Sequence, residues 1–281
     1  MTKMPAKEHI SITLDEQVLR RVDRLVDGKN TKNRSHAIEK LLSQYLDEQA
    51  VKQAVVLCGG HGTTLEPITQ EIPKPMIPIK GKPVLEYVIN HLKSEGILDI
   101  VLAVDYMHDK IISHFGNGSK FGVNIRYVVE QKPLGTAGSL APLKEMLSDT
   151  FVLLYGDILS KVDMQGMLRV HRSTKTLVTM ALTTSPETKG YGVAKLRGDK
   201  IIGFSEKPNP KNAESNLINA GVFLVEPELL KHNAVQKSER HLERVFEKLA
   251  PDGDLAGYVY SGPWYDLETN EKYGRAIKEW R

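Results

Sequence analysis

Only one cysteine, Cys58, occurs among the 281 residues, which excludes an intramolecular disulfide framework and denies a zinc site its set of thiolates. Such usage fits a reducing compartment, so a cytoplasmic location is expected. Long apolar runs are missing as well. No stretch of about 18 uncharged apolar residues occurs, and the opening MTKMPAKEHISITLDEQ holds no signal-peptide core, so neither export nor a membrane span is expected. Nor is there an excess of charge: 38 Lys and Arg stand against 35 Asp and Glu, a net +3. Any nucleic-acid contact must therefore come from a local surface rather than a bulk field. Repeats and low-complexity tracts are also absent. What is present is a 41% hydrophobic, 26% charged chain, a composition that builds cores over a length suited to about two domains.

Residues 9–47 have one rhythm. In His9-Ile10-Ser11-Ile12-Thr13-Leu14 polar and apolar residues alternate, which predicts a strand with Ile10, Ile12 and Leu14 on one face and His9, Ser11 and Thr13 on the other. Asp15 is placed to cap a helix with Val18, Leu19, Val22, Leu25 and Val26 on its apolar stripe, stopped by Gly28. Asn33 predicts a second cap, before a stripe of Ile38, Leu41, Leu42, Tyr45 and Leu46. A lone strand leaves its backbone groups unpaired, so this unit needs a second copy of itself.

The segments ISITLDEQVLRRVDRLVDG and NRSHAIEKLLSQYL resemble a ribbon-helix-helix domain, over roughly residues 8–47. The resemblance implies a homodimer, or a higher homo-oligomer containing it, that inserts a two-stranded ribbon into the major groove of double-stranded DNA. His9, Ser11 and Thr13 would then face base edges. Backbone N–H groups around Asn33, Arg34 and Ser35 would hold a phosphate. Within residues 1–36, eight basic residues against five acidic ones leave +3, a mild agreement. The alternative is a dimerisation handle without a DNA role.

From Val51 the pattern alternates between strands and helices. Lys52 to Cys58 is a near-continuous apolar run entering Gly59-Gly60-His61-Gly62, as a buried parallel strand enters a glycine-rich loop. Further strands are predicted over 100–104, 125–129 and 151–155, and helices over 84–94, 110–115 and 138–147. This predicts an α/β fold: an open, mostly parallel, Rossmann-like sheet with a ligand cleft at the carboxyl ends of its strands, preceded by the small ribbon-helix-helix domain. Residues 1–48 and 49–281 are the expected domains, and 176–281 the cleft's other wall.

The glycines allow backbone to approach phosphate closely, but the loop is neither a Walker loop nor a dinucleotide fingerprint. Its company is specific: CGGHGTTLEPIT, PKPMIPIKGKPVLEYVI, EQKPLGTAGSL, LLYGDIL, YGVAKL, FSEKP, INAGVFLV and WYDLETNEKY follow in order. Together they resemble the sugar-1-phosphate nucleotidyltransferases over residues 53–273. In that family a sugar 1-phosphate attacks the α-phosphate of a nucleoside triphosphate, giving a nucleotide sugar and pyrophosphate, with Mg2+ held by two carboxylates. The resemblance assigns Asp157 and Asp266 to the metal and, with Lys74, to catalysis. It assigns Leu57, Gly59, Gly60, Gly62, Thr63, Gln131, Gly135, Thr136 and Gly156 to the nucleotide, and Tyr191, Gly192, Glu206, Lys207, Asn219 and Gly221 to the sugar.

The sequence departs from the family where charge matters. Thr64 stands in the slot of the loop arginine, Glu66 lies beside it, and Glu268 replaces a usual glycine next to Asp266. One well-placed electrostatic donor is worth about 2.7–4 kcal/mol in an active site, roughly a hundredfold to a thousandfold in rate. Two functions follow. One is a DNA-binding regulator whose pocket binds a nucleotide or nucleotide sugar as effector with weak or no catalysis. The other is an active Mg2+-dependent nucleotidyltransferase that also binds DNA, its missing charge supplied by His61 or Lys74.

Overall fold

A computed structural model describes residues 8–130, 132–236 and 239–281. The chain divides into two compact units, Met1–Ala50 and Val51–Arg281, each considered by itself.

In the first unit, helix α1 (Glu16–Asp23) starts at Asp15, whose carboxylate accepts the Gln17 N–H at 2.8 Å. Helix α2 (Arg34–Gln49) starts at Asn33, which accepts the His36 N–H at 2.9 Å. Both caps are where the sequence places them, because a short side-chain oxygen satisfies an otherwise orphaned donor. Two expectations are corrected. Helix α1 ends at Asp23, not beside Gly28, because the Asp27 carboxylate collects the N–H groups of Lys29 and Thr31 and so builds a turn that competes with the helix. Gly28 has φ +71° inside that turn. Residues 9–14 form no strand in this chain; a strand exists by pairing, and Ile10, Ile12 and Leu14 stand exposed at 71%, 52% and 36%. Val22, Thr31 and Ala37 are buried. The Tyr45 and Leu46 side chains lie outside the description.

The second unit runs β1 (Gln53–Cys58), α3 (Ile68–Glu71), β2 (Pro78–Ile79), β3 (Lys82–Pro83), α4 (Val84–Ser94), β4 (Asp99–Val104), α5 (His108–Phe115), β5 (Asn124–Val129), β6 (Phe151–Tyr155) and β7 (Ile158–Ser160). It continues with α6 (Met164–Thr174), β8 (Val178–Thr184), β9 (Gly192–Arg197), β10 (Lys200–Glu206), β11 (Leu217–Val225), α7 (Asn233–Gln236), α8 (Leu242–Asp252), β12 (Leu255–Val259), β13 (Trp264–Asp266) and α9 (Asn270–Glu279). Among the described residues nine strands form one sheet, in the order β5-β4-β1-β6-β11-β8-β12-β10-β9. The first four are mutually parallel; β11 then runs antiparallel to β6 and β8, and β10 antiparallel to β9 and β12. No helix spans 138–147. Gly138–Leu143 is a tighter turn of helix containing Pro142, which lacks an N–H and clashes with the preceding turn of an α-helix.

Side chains of β1 alternate between two cores. Ala54, Val56 and Cys58 face the one covered by α4, α5 and α6; Val55 and Leu57 face the one covered by α8. Burying a residue such as Phe246 contributes about 1.5–3 kcal/mol. A third cluster, with Ile79, Leu159, Leu267 and Trp280 buried, ties α9 and β13 to the β2-β3 hairpin. That cluster fixes the turn following Asp266.

Candidate functional site

Strand register brings the two singled-out carboxylates together. β13 pairs antiparallel with β7, setting Asp266 opposite Ile158, the residue after Asp157. Lys74, in the short turn Lys74–Met76, meets Asp157 Oδ2 at 2.6 Å. Burial pulls the Lys74 pKa down, but Asp157, Glu268 and Asp266 outweigh it and hold the ammonium above its ordinary value. Lys272, from the first turn of α9, lies 3.0 Å from Asp266 Oδ1 and 4.4 Å from the centre of the Tyr191 ring. It too is raised: burial works against its charge, while Tyr191 and Asp266 more than restore it. The Tyr191 hydroxyl donates to Asp266 Oδ2, and burial pushes that phenol up to about 12.

The glycine loop is held by the protein's own groups. The Gly60 N–H donates to Asp105 Oδ1 at 3.0 Å, and the Tyr106 N–H donates to the same oxygen. His61 packs on Tyr106, with ring centroids 4.6 Å apart. The Thr64 hydroxyl donates to the Glu268 carbonyl, so the substituted residue ties the loop to the turn before α9. Gly62 has φ +65°, and a Cβ there would lie 2.6 Å from Lys74 Cγ; the lysine stem requires the glycine. Gly156 serves packing: its N–H donates to the Leu57 carbonyl at 2.8 Å, and a Cβ would lie 2.8 Å from Cys58 Sγ.

At the other end, Glu206 closes β10. Burial, then the nearby Glu243, pushes its pKa up to about 7, and Lys207 Nζ lies 3.9 Å from Glu206 Oε1. A Cβ on Gly192 would lie 2.4 Å from the Phe204 ring and 2.8 Å from Glu206 Oε2. The Asn219 carboxamide accepts the Gly221 N–H at 2.8 Å.

Lys74, Asp157, Tyr191, Gly192, Glu206, Lys207, Asn219, Gly221 and Asp266 line one cleft. Leu57, Gly59, Gly60, Gly62, Thr63, Gly135, Thr136 and Gly156 are not among its lining residues. Gly135 and Thr136 instead dock on the start of α8, where Thr136 Oγ1 accepts the Leu242 N–H at 2.8 Å. Gln131 lies outside the described residues. Sequence reasoning missed Tyr155, Trp264 and Glu243, which also line the cleft. The Tyr155 hydroxyl donates to Glu243 Oε1 at 2.8 Å. No motif marks Glu243, because it arrives from a helix distant in sequence. Lys272 was missed too, although its i,i+4 spacing from Glu268 is the one signal that pointed to it.

In the first unit His9, Ser11 and Thr13 are exposed. Asn33 is engaged as the α2 cap. The Arg34 guanidinium grips Asp23 with two bonds, of 2.6 and 2.9 Å, so this side chain joins α1 to α2.

The sequence matches two family models: "Nucleotidyl transferase" over residues 53–280 and "Ribbon-helix-helix protein, copG family" over residues 8–49. The chain belongs to the nucleotidyl transferase family. It is 36% identical over 227 residues to a mannose-1-phosphate guanylyltransferase of Mycobacterium tuberculosis, covering 79% of this chain and 62% of that protein. It therefore spans about three-fifths of that relative's length. A D-glycero-alpha-D-manno-heptose 1-phosphate guanylyltransferase of Aneurinibacillus thermoaerophilus is 32% identical over 228 residues, 81% of this chain and 97% of that one. Among solved structures, a putative glucose-1-phosphate thymidylyltransferase from Bacillus anthracis superposes with a TM-score of 0.72 at 26% identity, covering 81% of this chain and 94% of that one. A UDP-glucose pyrophosphorylase complexed with UDP-glucose has a TM-score of 0.70 at 20% identity over 81% and 97%, a likeness of fold.

The nucleotidyl transferases generally use Mg2+. Here the two carboxylates assigned to it are adjacent, but Lys74 holds one and Lys272 and Tyr191 hold the other. Among the described residues no three His, Cys, Asp or Glu side chains gather as a metal site. Mg2+ demands oxygen lone pairs at about 2.0–2.1 Å in near-octahedral array, and here Lys74 takes Asp157 Oδ2 while Lys272 takes both oxygens of Asp266. As arranged, a divalent ion would have to displace the ammonium groups that now hold Asp157 and Asp266. No described helix is long and apolar enough to cross a membrane.

Proposed function

We propose that this chain is a DNA-binding transcriptional regulator, with residues 1–48 as the reader and 49–281 as a pocket that takes a nucleotide sugar as effector with little or no turnover. The observation that carries the reading is the phosphate loop, where Thr64 is tied to the Glu268 carbonyl in the slot of a guanidinium. The cleft adds five carboxylates, Asp157, Glu206, Glu243, Asp266 and Glu268, against Lys74 and Lys207. A triphosphate meets that surface at a disadvantage, because like charges near one another disfavour the bound state. A nucleotide sugar carries two phosphates and less charge. Regulation requires the ligand to bind one arrangement of the reader better than another, by the coupling energy.

The homodimer is part of the proposal. It is supported by the exposed Ile10, Ile12 and Leu14 and by the match of residues 8–49 to a ribbon-helix-helix model. His9, Ser11 and Thr13 are the proposed base readers. Replacing all three with alanine removes sequence preference and keeps the dimer, read by fluorescence anisotropy and light scattering.

An active transferase remains the second reading, favoured by the 36% identity to an enzyme. Incubation of purified protein with Mg2+, each nucleoside triphosphate and a panel of sugar 1-phosphates separates the two. Pyrophosphate release at ordinary enzymatic rates contradicts the effector reading. A thermal shift with nucleoside diphosphate sugars and none with triphosphates supports it.

A further inference from the structure

Lys272 stands where helix electrostatics disfavour a cation. It occupies the first turn of α9, directly after the Thr269 N-cap, at the end where the backbone's partial charge is positive. A residue that breaks a local rule marks a compensating role elsewhere. Its ammonium is fixed from several sides: 3.0 Å from Asp266 Oδ1 and 3.0 Å from Oδ2, 3.5 Å from Glu268 Oε2, and over the Tyr191 ring. Asp266 further accepts the Tyr191 hydroxyl and the Glu268 N–H at 3.1 Å. Both carboxylate oxygens are therefore occupied by donors from the chain itself. Asp266 is 11% exposed, so water cannot easily replace those donors if the ammonium leaves.

We propose that Lys272 is a resident counter-ion of the cleft, holding on Asp266 the positive charge that a divalent ion would otherwise bring, so that the diphosphate of a nucleoside diphosphate sugar is received without a metal. The ligand half of this inference rests on the effector reading; the metal half does not. The ammonium is held on Asp266, which lines the cleft together with Lys74 and Asp157; Lys272 acts on the ligand through that carboxylate, by cancelling its charge. Tyr191 keeps it from swinging away, since a cation over an aromatic face gains further attraction.

The test has two arms on the full chain. In the first, uptake of Mn2+ alone is followed by electron paramagnetic resonance of the free ion. Wild-type protein takes up Mn2+ weakly, Lys272→Met binds it about tenfold or more tightly, and Lys272→Arg behaves as wild type because it keeps the charge. Adding Asp266→Asn to Lys272→Met abolishes the gain. Wild-type uptake as tight as that of Lys272→Met overturns the inference, as does tight wild-type uptake if the Met variant fails to fold. In the second arm, UDP-glucose and GDP-mannose are titrated into wild-type protein by calorimetry, in EDTA and in Mg2+. Equal affinities support the inference, and an affinity about tenfold higher in Mg2+ overturns it. If neither sugar nucleotide binds in either buffer, the effector reading fails, and the Mn2+ arm alone decides the role of Lys272.

Discussion

The glycine loop with its neighbouring carboxylates and the surroundings of Glu206 are built on opposite plans. On the first side the chain engages its own groups: Gly60 is held by Asp105, Thr64 by Glu268, Asp157 by Lys74 and Asp266 by Lys272. On the other side Glu206 is crowded by Glu243, has Lys207 no nearer than 3.9 Å, and has its pKa pushed up to about 7 by burial. A self-satisfied site binds new charge poorly, because each incoming group must displace a bond already made. A strained, underneutralised site gains when a ligand brings donors. The difference argues for recognition through the sugar and against triphosphate chemistry.

Restoring the missing guanidinium is the strongest way to break this contrast. Thr64→Arg returns a cation to the loop and frees the Glu268 carbonyl. Triphosphate binding should tighten by about tenfold to a hundredfold, the worth of a charged hydrogen bond, measured by calorimetry. Unchanged affinity would mean that the slot no longer faces the ligand. Next in size is Gly192→Ala, which drives a methyl into the Phe204 ring and Glu206. Overpacking of this kind costs about 1–3 kcal/mol; the expected result is a lower melting temperature and loss of the nucleotide-sugar thermal shift. A smaller effect comes from pH. The folded Glu206 pKa lies above its ordinary 4.5, so the folded state binds more protons between pH 4.5 and about 7, and stability falls as pH rises through that window. Glu206→Gln should flatten that part of the melting-temperature profile.

Much of this was legible in the sequence. Asp15 and Asn33 announce themselves as caps, because capping depends on one residue and its neighbours. Strands and glycine turns around Asp157 follow from local patterns. Non-local features were hidden. The pairing that sets Asp266 beside Asp157 comes from β13 crossing to β7, which no spacing reveals. Lys272 reads as an exposed helical lysine until α9 is docked by Leu267 and Trp280. The strand over 9–14 was expected from alternation, yet alternation describes one face while pairing requires another chain. Pro142 was visible and should have broken the helix over 138–147.

On the proposed function, filling the cleft changes what the small unit does. Binding of the full-length protein to DNA from upstream of its own gene, followed by fluorescence anisotropy at fixed salt while a nucleoside diphosphate sugar is titrated, tests this directly. The expected result is a saturable change in DNA affinity of about 5–150-fold, with no pyrophosphate chemistry accompanying it. Unaltered DNA affinity at ligand concentrations that saturate the cleft would contradict it.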